Sequence, residues 1–207
     1  VFTRIVTAGY GMHLLGTTAA TNNDMLELCS SSLLFTGQMG HSEVETIVAF
    51  SSLANIAFNF GFNDDVLDVS DSLPAELCGT TWTTNAATCV GFAYDTDATN
   101  DELHAMWTDD DSDTGTAIAD LRFIGMVPTA AKWFYMKVAM DDRGSGYGVR
   151  VTLTAVDHNG KHVEKLFNTT VDRDCPLCYY FGVENRTTTA KSTYVKMMGY
   201  KQSIADL

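Results

Sequence analysis

The residues able to do chemistry in this chain fall into a few small groups. Glu43 and Glu45 stand two apart in an alternating run, so both carboxylates share one face of an extended strand. Paired carboxylates on a sheet are what glycoside hydrolysis uses, one as acid and one as base or nucleophile. Here Thr46, Ile47 and Val48 follow, no third acid on that face completes the set, and the pair is expected to face solvent. The acid run Asp109-Asp110-Asp111-Ser112-Asp113 offers oxygen ligands at alternate positions, as Ca²⁺ sites do, but lacks the EF-hand glycine and closing glutamate. It reads as a solvated acidic loop, with Asp109, Asp111 and Asp113 as candidates for a weak Ca²⁺ site and no other cofactor expected. No catalytic residue is assigned, and the chain is read as a non-enzyme.

Cys175-Pro176-Leu177-Cys178 has the spacing of half a zinc site or a redox motif. No second pair completes a zinc ribbon, and strand-like flanks do not supply the helix N-terminus that lowers a redox thiol's pKa. The cysteines number five, so at least one lies outside any intrachain disulfide; Cys78–Cys89, closing a short loop, is the most plausible pair if a bridge exists. The histidines are dispersed, and only His158 and His162 fall close together, across an expected hairpin. No Gly-x-Ser-x-Gly elbow accompanies them. Gly144-Ser145-Gly146-Tyr147-Gly148 imitates a phosphate loop but joins strand to strand, with no helix to hold an anion. Two sequons, at Asn168 and Asn185, matter only on a eukaryotic secretory route. Trp133, Tyr135 and Tyr180 fall on nominal outer strand faces, where exposed rings could stack on sugars unless a partner or second layer covers them.

The elements that must carry these groups are strands. Ile56, Phe58, Phe60 and Phe62 alternate with small or polar residues; so do Phe134, Met136, Val138 and Met140, then Val149, Val151, Leu153 and Ala155, and Leu177, Tyr179, Phe181 and Val183. A period of two puts one set inward and the other outward. The 26 threonines suit the pleat through their branched Cβ. Further strands are expected near 3–8, 11–16, 24–29, 43–51, 89–94, 103–108, 118–124, 162–171 and 193–201, with one helical turn at Ser72–Leu77, where Pro74 suits a first helical position. His158-Asn159-Gly160 marks a hairpin whose Asn and Gly both tolerate φ > 0. The expected core is Val44, Val48, Phe50, Phe58, Phe60, Val90, Phe92, Phe134, Met136, Val138, Val151, Leu153, Phe181 and Val183, with 43–63 and 131–157 central in two sheets. The fold class is therefore all-β, an antiparallel β-sandwich in one domain spanning 1–207, with Val1–Gly11 as an extended arm.

Of 207 residues, 45% are hydrophobic and 19% charged, which excludes a disordered chain. The net charge of −13 repels phosphate and speaks against a nucleic-acid partner. No apolar run is long enough for a membrane helix, and Val1-Phe2-Thr3-Arg4 opens no recognisable signal peptide.

The order of these segments resembles a known family. Asn22–Leu28 leads to Glu43–Phe50 and Phe58–Asp64; Val90–Asp95, His104–Trp107, Lys132–Val138 and Tyr179–Asn185 follow, and Lys191–Met197 looks like the closing strand. This pattern is similar to the concanavalin A-like (laminin-G-like) jelly rolls of tailed-bacteriophage virion proteins. The resemblance covers nearly the whole chain and implies a two-sheet jelly roll displayed on the virion surface as a capsid decoration or cement protein. The implied partners are the major capsid protein or other virion proteins, and copies of itself. It supplies no catalytic residues. The alternative it leaves is a carbohydrate-binding module or adhesin on tail or fibre that contacts a cell-surface glycan; a glycoside hydrolase ranks below both. A chain this acidic needs apolar or basic surfaces to join an array, and Trp133, Tyr135, Val1 and Phe2 are the expected partner-binding residues.

Overall fold

The computed structural model describes residues 2–8, 11–30, 32–65, 72–110 and 124–203. Among them are fourteen strands: β1 Phe2–Thr7, β2 Gly11–Thr17, β3 Met25–Cys29, β4 Ser42–Phe50, β5 Ile56–Asn63, β6 Ala75–Cys78, β7 Thr81–Thr84, β8 Cys89–Asp95, β9 His104–Thr108, β10 Phe134–Asp142, β11 Val149–Val156, β12 His162–Asn168, β13 Cys178–Asn185 and β14 Ser192–Gln202. One 3-10 turn, Gly37–Met39, is the only helical element among the described residues. The strands form a seven-stranded sheet ordered β1-β2-β14-β4-β10-β11-β12 and a five-stranded sheet ordered β3-β13-β5-β8-β9, with β6 and β7 pairing separately. Every named strand pairing is antiparallel. β4 is the middle strand of one sheet and β5 of the other, as the strength of their patterns implied.

The inward side chains of the two sheets form one core, and all fourteen expected core residues lie in it. Its centre is aromatic. Phe50 of one sheet stacks on Phe58 of the other at 4.8 Å between ring centroids, and Phe58 stacks on Tyr94 at 5.1 Å. Phe134 reaches both Phe50 and Phe58 at 6.1 Å. Offset and tilted ring pairs of this kind add to the burial of their large surfaces. The outer side of the five-stranded sheet requires glycine where β5 and β8 cross closely. Gly61 and Gly91 sit opposite each other, and a Cβ on either would lie 2.2 or 2.1 Å from the facing strand's carbonyl oxygen.

The structure corrects several expectations. Val1 lies outside the described residues, but Phe2–Thr7 is no free arm: it pairs in unbroken register with β2 as the edge of the seven-stranded sheet. Residues 72–77 form no helical turn. Ala75–Cys78 is a strand that turns back into β7 and packs over the outer side of the five-stranded sheet, burying Leu77 and Trp82 against Cys89, Ala93 and Met106. The sequence pattern is blind to this hairpin because its strands are four residues long and rest on the sheet as a third layer. The β11–β12 connection has Gly160 alone at positive φ; Asn159 stays at negative φ while the Asp157 carboxylate accepts from the Asn159 and Lys161 amides. The expected strand at 118–124 falls outside the described residues except for Ile124, a buried loop residue. No disulfide joins Cys78 to Cys89: Cys78 is exposed at the end of β6 and Cys89 is buried on β8. Asn185 is fully buried and donates to the carbonyls of Ala19 and Thr21, so of the two sequons only Asn168 is at the surface.

Phe60 is fully buried between the sheets, so Phe60→Ala should cost about 3–5 kcal/mol in a urea unfolding curve. Leu166→Ala, on the exposed edge strand β12, should change stability by no more than about 0.5 kcal/mol. Equal effects would mean the inward register is wrong.

Candidate functional site

Strand alternation sets what the outer side of the seven-stranded sheet displays. On β4 the outward positions carry Glu43, Glu45 and Ile47; on β10 they carry Tyr135 and Lys137. Lys137 lies directly opposite Glu45, and Gly199 of β14 flanks Glu45 on its other side. A Cβ at Gly199 would stand 3.4 Å from Glu45 Oε1, an ordinary contact, so the Glu45 carboxylate lies along the sheet against that position. Tyr135, one diagonal step away, donates its hydroxyl to Glu45 Oε2 at 2.8 Å. Burial and this bond to a carboxylate both hold the phenol in its protonated form, pushing its pKa up.

At the other end of β4, His41 stands between two acids. Its Nδ1 is 2.9 Å from Asp141 Oδ1 and its Nε2 is 3.1 Å from Glu43 Oε2. Both ring nitrogens donate only in the imidazolium form, and the Asp141 bond is the largest cause raising the His41 pKa; partial burial opposes it, and Glu43 adds to the rise. Lys137 and Lys201 approach Glu43 at 3.9 and 4.0 Å, and Arg150 approaches Asp141 at 3.7 Å.

Beside this polar row is an aromatic patch. Trp133 immediately precedes β10 and is half-buried. The β-bulge in β14 between Val195 and Met197 sets the Lys196 amine 5.6 Å above the Trp133 ring. His13 fills the gap between Trp133 and Tyr194, with ring centroids 6.2 and 5.2 Å away. The face therefore combines aromatic surface with carboxylate, ammonium and imidazole groups held in a fixed array.

The sequence-expected site residues are thus partly assembled. Trp133 and Tyr135 do lie on one outer face, half-buried, together with Glu43 and Glu45. Phe2 does not join them: it packs inward against the core, where a Cβ on Gly16 would meet its ring at 2.7 Å. Tyr180 is not an outer platform. It is buried on the five-stranded sheet, its ring lying beside Gly182 and its hydroxyl donating to Glu27 Oε1 at 2.6 Å. Sequence reading missed His41 and Asp141, although His41, Glu43 and Glu45 keep the period of two that places them on one face.

Asp109 lies elsewhere, in a polar hollow of about 350 Å³ lined by Thr88, Asp109, Asp110, Asp172, Asp174 and Cys175. Its Oδ1 accepts from the Asp172 amide at 2.9 Å, so it serves the loop, and burial raises its pKa. Asp111 and Asp113 lie outside the described residues. Among the described residues no group of three or more His, Cys, Asp or Glu is placed to hold a metal ion. Burial raises the pKa of Cys175 and pushes that of Cys178 up to about 12, opposite to what a reactive CxxC needs.

No family model matches the chain, and no curated protein matches it in sequence. Solved structures do. The Lotus tetragonolobus seed lectin (isoform) superposes with a TM-score of 0.61 at 9% identity, covering 100% of this chain and 94% of the lectin. The potassium-bound carbohydrate recognition domain of Emp46p gives 0.59 at 10% identity over 99% of this chain and 88% of that domain, and it is also known in a metal-free form. The marine PL-14 alginate lyase from Aplysia kurodai gives 0.58 at 10% identity over 97% of this chain and 87% of the lyase. At such identities the likeness is one of fold: this chain is a concanavalin A-like, legume-lectin-like β-sandwich.

The His41 environment makes a direct prediction. In an NMR titration His41 should keep its proton to higher pH than a histidine in an unfolded peptide, and Asp141→Asn should bring it back toward the ordinary histidine range. Because the folded pKa is raised, the interaction stabilises fully below the unfolded histidine value and is lost as pH rises through the folded one.

Proposed function

We propose that this protein is a non-catalytic carbohydrate-recognition module and that it binds glycans on the outer face of the seven-stranded sheet around Trp133, Tyr135 and Glu45. The observation that carries the reading is the juxtaposition on β4 and β10 of half-exposed rings with the ordered Tyr135–Glu45 and His41–Asp141 pairs. Sugars are recognised in this way: the apolar face of a pyranose stacks on an aromatic ring while its hydroxyls bond to fixed polar groups. The lectin fold neighbours support the same reading. One neighbour is an alginate lyase, but the charge of −13 disfavours a polyanionic substrate such as a uronate chain, and Glu43 and Glu45 are each committed to a cation or a hydroxyl. Neutral glycans fit the face better.

The tailed-phage setting implied by the sequence resemblance concerns where such a module is displayed. β1 favours contact with virion proteins or with another copy, since among the described strands it pairs only with β2 and its other edge offers backbone hydrogen bonds.

Binding of the purified chain to a glycan array should be lost or weakened about tenfold by Trp133→Ala, a change of ~1.4 kcal/mol, and by Tyr135→Ala to a similar degree. Chelator and Asp109→Asn should leave it unchanged. An array on which the folded chain binds nothing would remove this reading. Binding abolished by chelator would move the site to the acidic hollow.

A further inference from the structure

The outer side of the five-stranded sheet is closed where the β6–β7 hairpin lies on it, and the closure is made over a crowded set of charges. Arg186, just beyond β13, is its cation, with a side chain only 12% exposed. Arg186 Nη2 donates to Asp95 Oδ2 at 2.8 Å; Nη1 donates to Glu184 Oε1 at 2.6 Å and to Glu76 Oε1 at 3.2 Å; Asp97 Oδ2 stands 3.9 Å from Nε. Asp95 and Glu184 are sheet residues, 2% and 1% exposed, whereas Glu76 belongs to the hairpin. The hairpin thus brings another carboxylate to a place already holding more acid than one guanidinium can neutralise.

The same sheet residues hold the hairpin's backbone. Asp95 Oδ2 accepts from the Leu77 amide at 3.2 Å, and Asn59 Oδ1 accepts from the Ala75 amide at 2.8 Å. Glu184 Oε2, by contrast, is buried and accepts from no donor among the described residues, and the Glu76 carboxyl that pairs with Glu184 favours its protonated form. A buried carboxylate oxygen left unpaired disfavours ionisation, because the charged form loses its water without replacement. Among the described residues no basic group other than Arg186 is paired with the cluster. From β9 the nearest ionisable side chain is His104, whose ring packs edge-on against Trp82 at 6.3 Å; β7 carries no charged residue; β5 presents the neutral Asn59; and from β3, Glu27 is bonded to Tyr180.

We propose that the β6–β7 hairpin is a proton-gated cover: it docks with one carboxylate of the Arg186 cluster protonated, and lifting it releases that proton, so docking weakens as pH rises through neutrality. Burial, the largest cause, pushes Glu184 up to about 8 against the pull of Arg186, with Glu76 and Asp95 adding to the rise. Burial raises Asp95 in the same direction, against the same arginine. Once the hairpin is lifted, Glu184 meets water and titrates in the ordinary glutamate range near 4.3. A carboxyl whose docked pKa lies above its undocked pKa favours docking fully below the lower value. That preference declines with rising pH and is spent above the higher one, a window of about pH 4.5 to 8. Lifting the hairpin bares Asn59, Asp95, Glu184 and Arg186, a face rich in hydrogen-bonding groups.

The test is amide hydrogen exchange of the intact chain at pH 5.5, 7.0 and 8.5, expressed as protection factors so that the intrinsic pH dependence cancels. The Ala75 and Leu77 amides report on docking and the β10 amides serve as the internal control. Protection of the hairpin should fall at least about tenfold between pH 5.5 and 8.5, one proton's linkage over part of the window, while β10 holds constant. Glu184→Gln, neutral throughout, should abolish the fall. Glu76→Gln, at the more exposed rim, should shrink it and decides the matter if Glu184→Gln does not fold. Hairpin protection that is flat with pH overturns the proposal. So does a fall that persists unchanged in Glu184→Gln, or in Glu76→Gln where Glu184→Gln yields no folded protein.

Discussion

The structure depends on phenylalanines interleaved between two sheets. Phe50 and Phe134 reach down from the seven-stranded sheet, and Phe58, Phe60 and Phe181 reach up from the five-stranded one. Each ring fills space that the opposite sheet leaves, so the register of every central strand is fixed by the core it must face; a one-residue slip would turn all of them out. Outward side chains inherit their places from this. Glu45 stands beside Lys137, and Tyr135 beside Glu45, because Val44, Met136 and Val138 point inward. The polar face is thus a by-product of the apolar one, and it is rigid for the same reason.

The two outer faces are treated differently. On the seven-stranded sheet the charges are spread along a row, half-exposed, with acids and bases alternating. Charges so placed keep part of their hydration, and their edges remain within reach of a ligand's hydroxyls. On the five-stranded sheet the hairpin buries an acid-rich cluster, and the apolar contacts of Leu77 and Trp82 with Ala93 and Met106 offset the cost of closing over it. One face keeps its polar groups within reach of solvent. The other is closed over by the β6–β7 hairpin.

How far the sequence foretells this depends on the layer concerned. Strands two sheets deep announce themselves: Phe58, Phe60 and Phe62 alternate with Asn59 and Gly61, and their inward register is as expected. A third layer sends no such signal. Tyr180 looks outward by alternation and is outward on its sheet, yet it is covered, because a period of two distinguishes the sides of a sheet and not whether a side is solvated. The short hairpin at 75–84 hides for the same reason, and its Pro74 imitates a helix start. The candidate site was half legible. Trp133, Tyr135, Glu43 and Glu45 could be assigned to outer faces, but their convergence with His41 and Asp141 follows from the pairing of β4 with β10, a relation between segments some ninety residues apart.

The proposal that glycans bind the outer face of the seven-stranded sheet, rather than the face that the hairpin covers, is open to a direct test on the intact chain. The most direct measurement is a two-dimensional NMR titration of the isotopically labelled chain with neutral oligosaccharides such as mannohexaose and cellohexaose. Shifts should concentrate at the Trp133 indole N–H and the amides of 43–47, 133–137 and 197–201. Shifts confined to 75–84, or to 109–110 and 172–175, would contradict it.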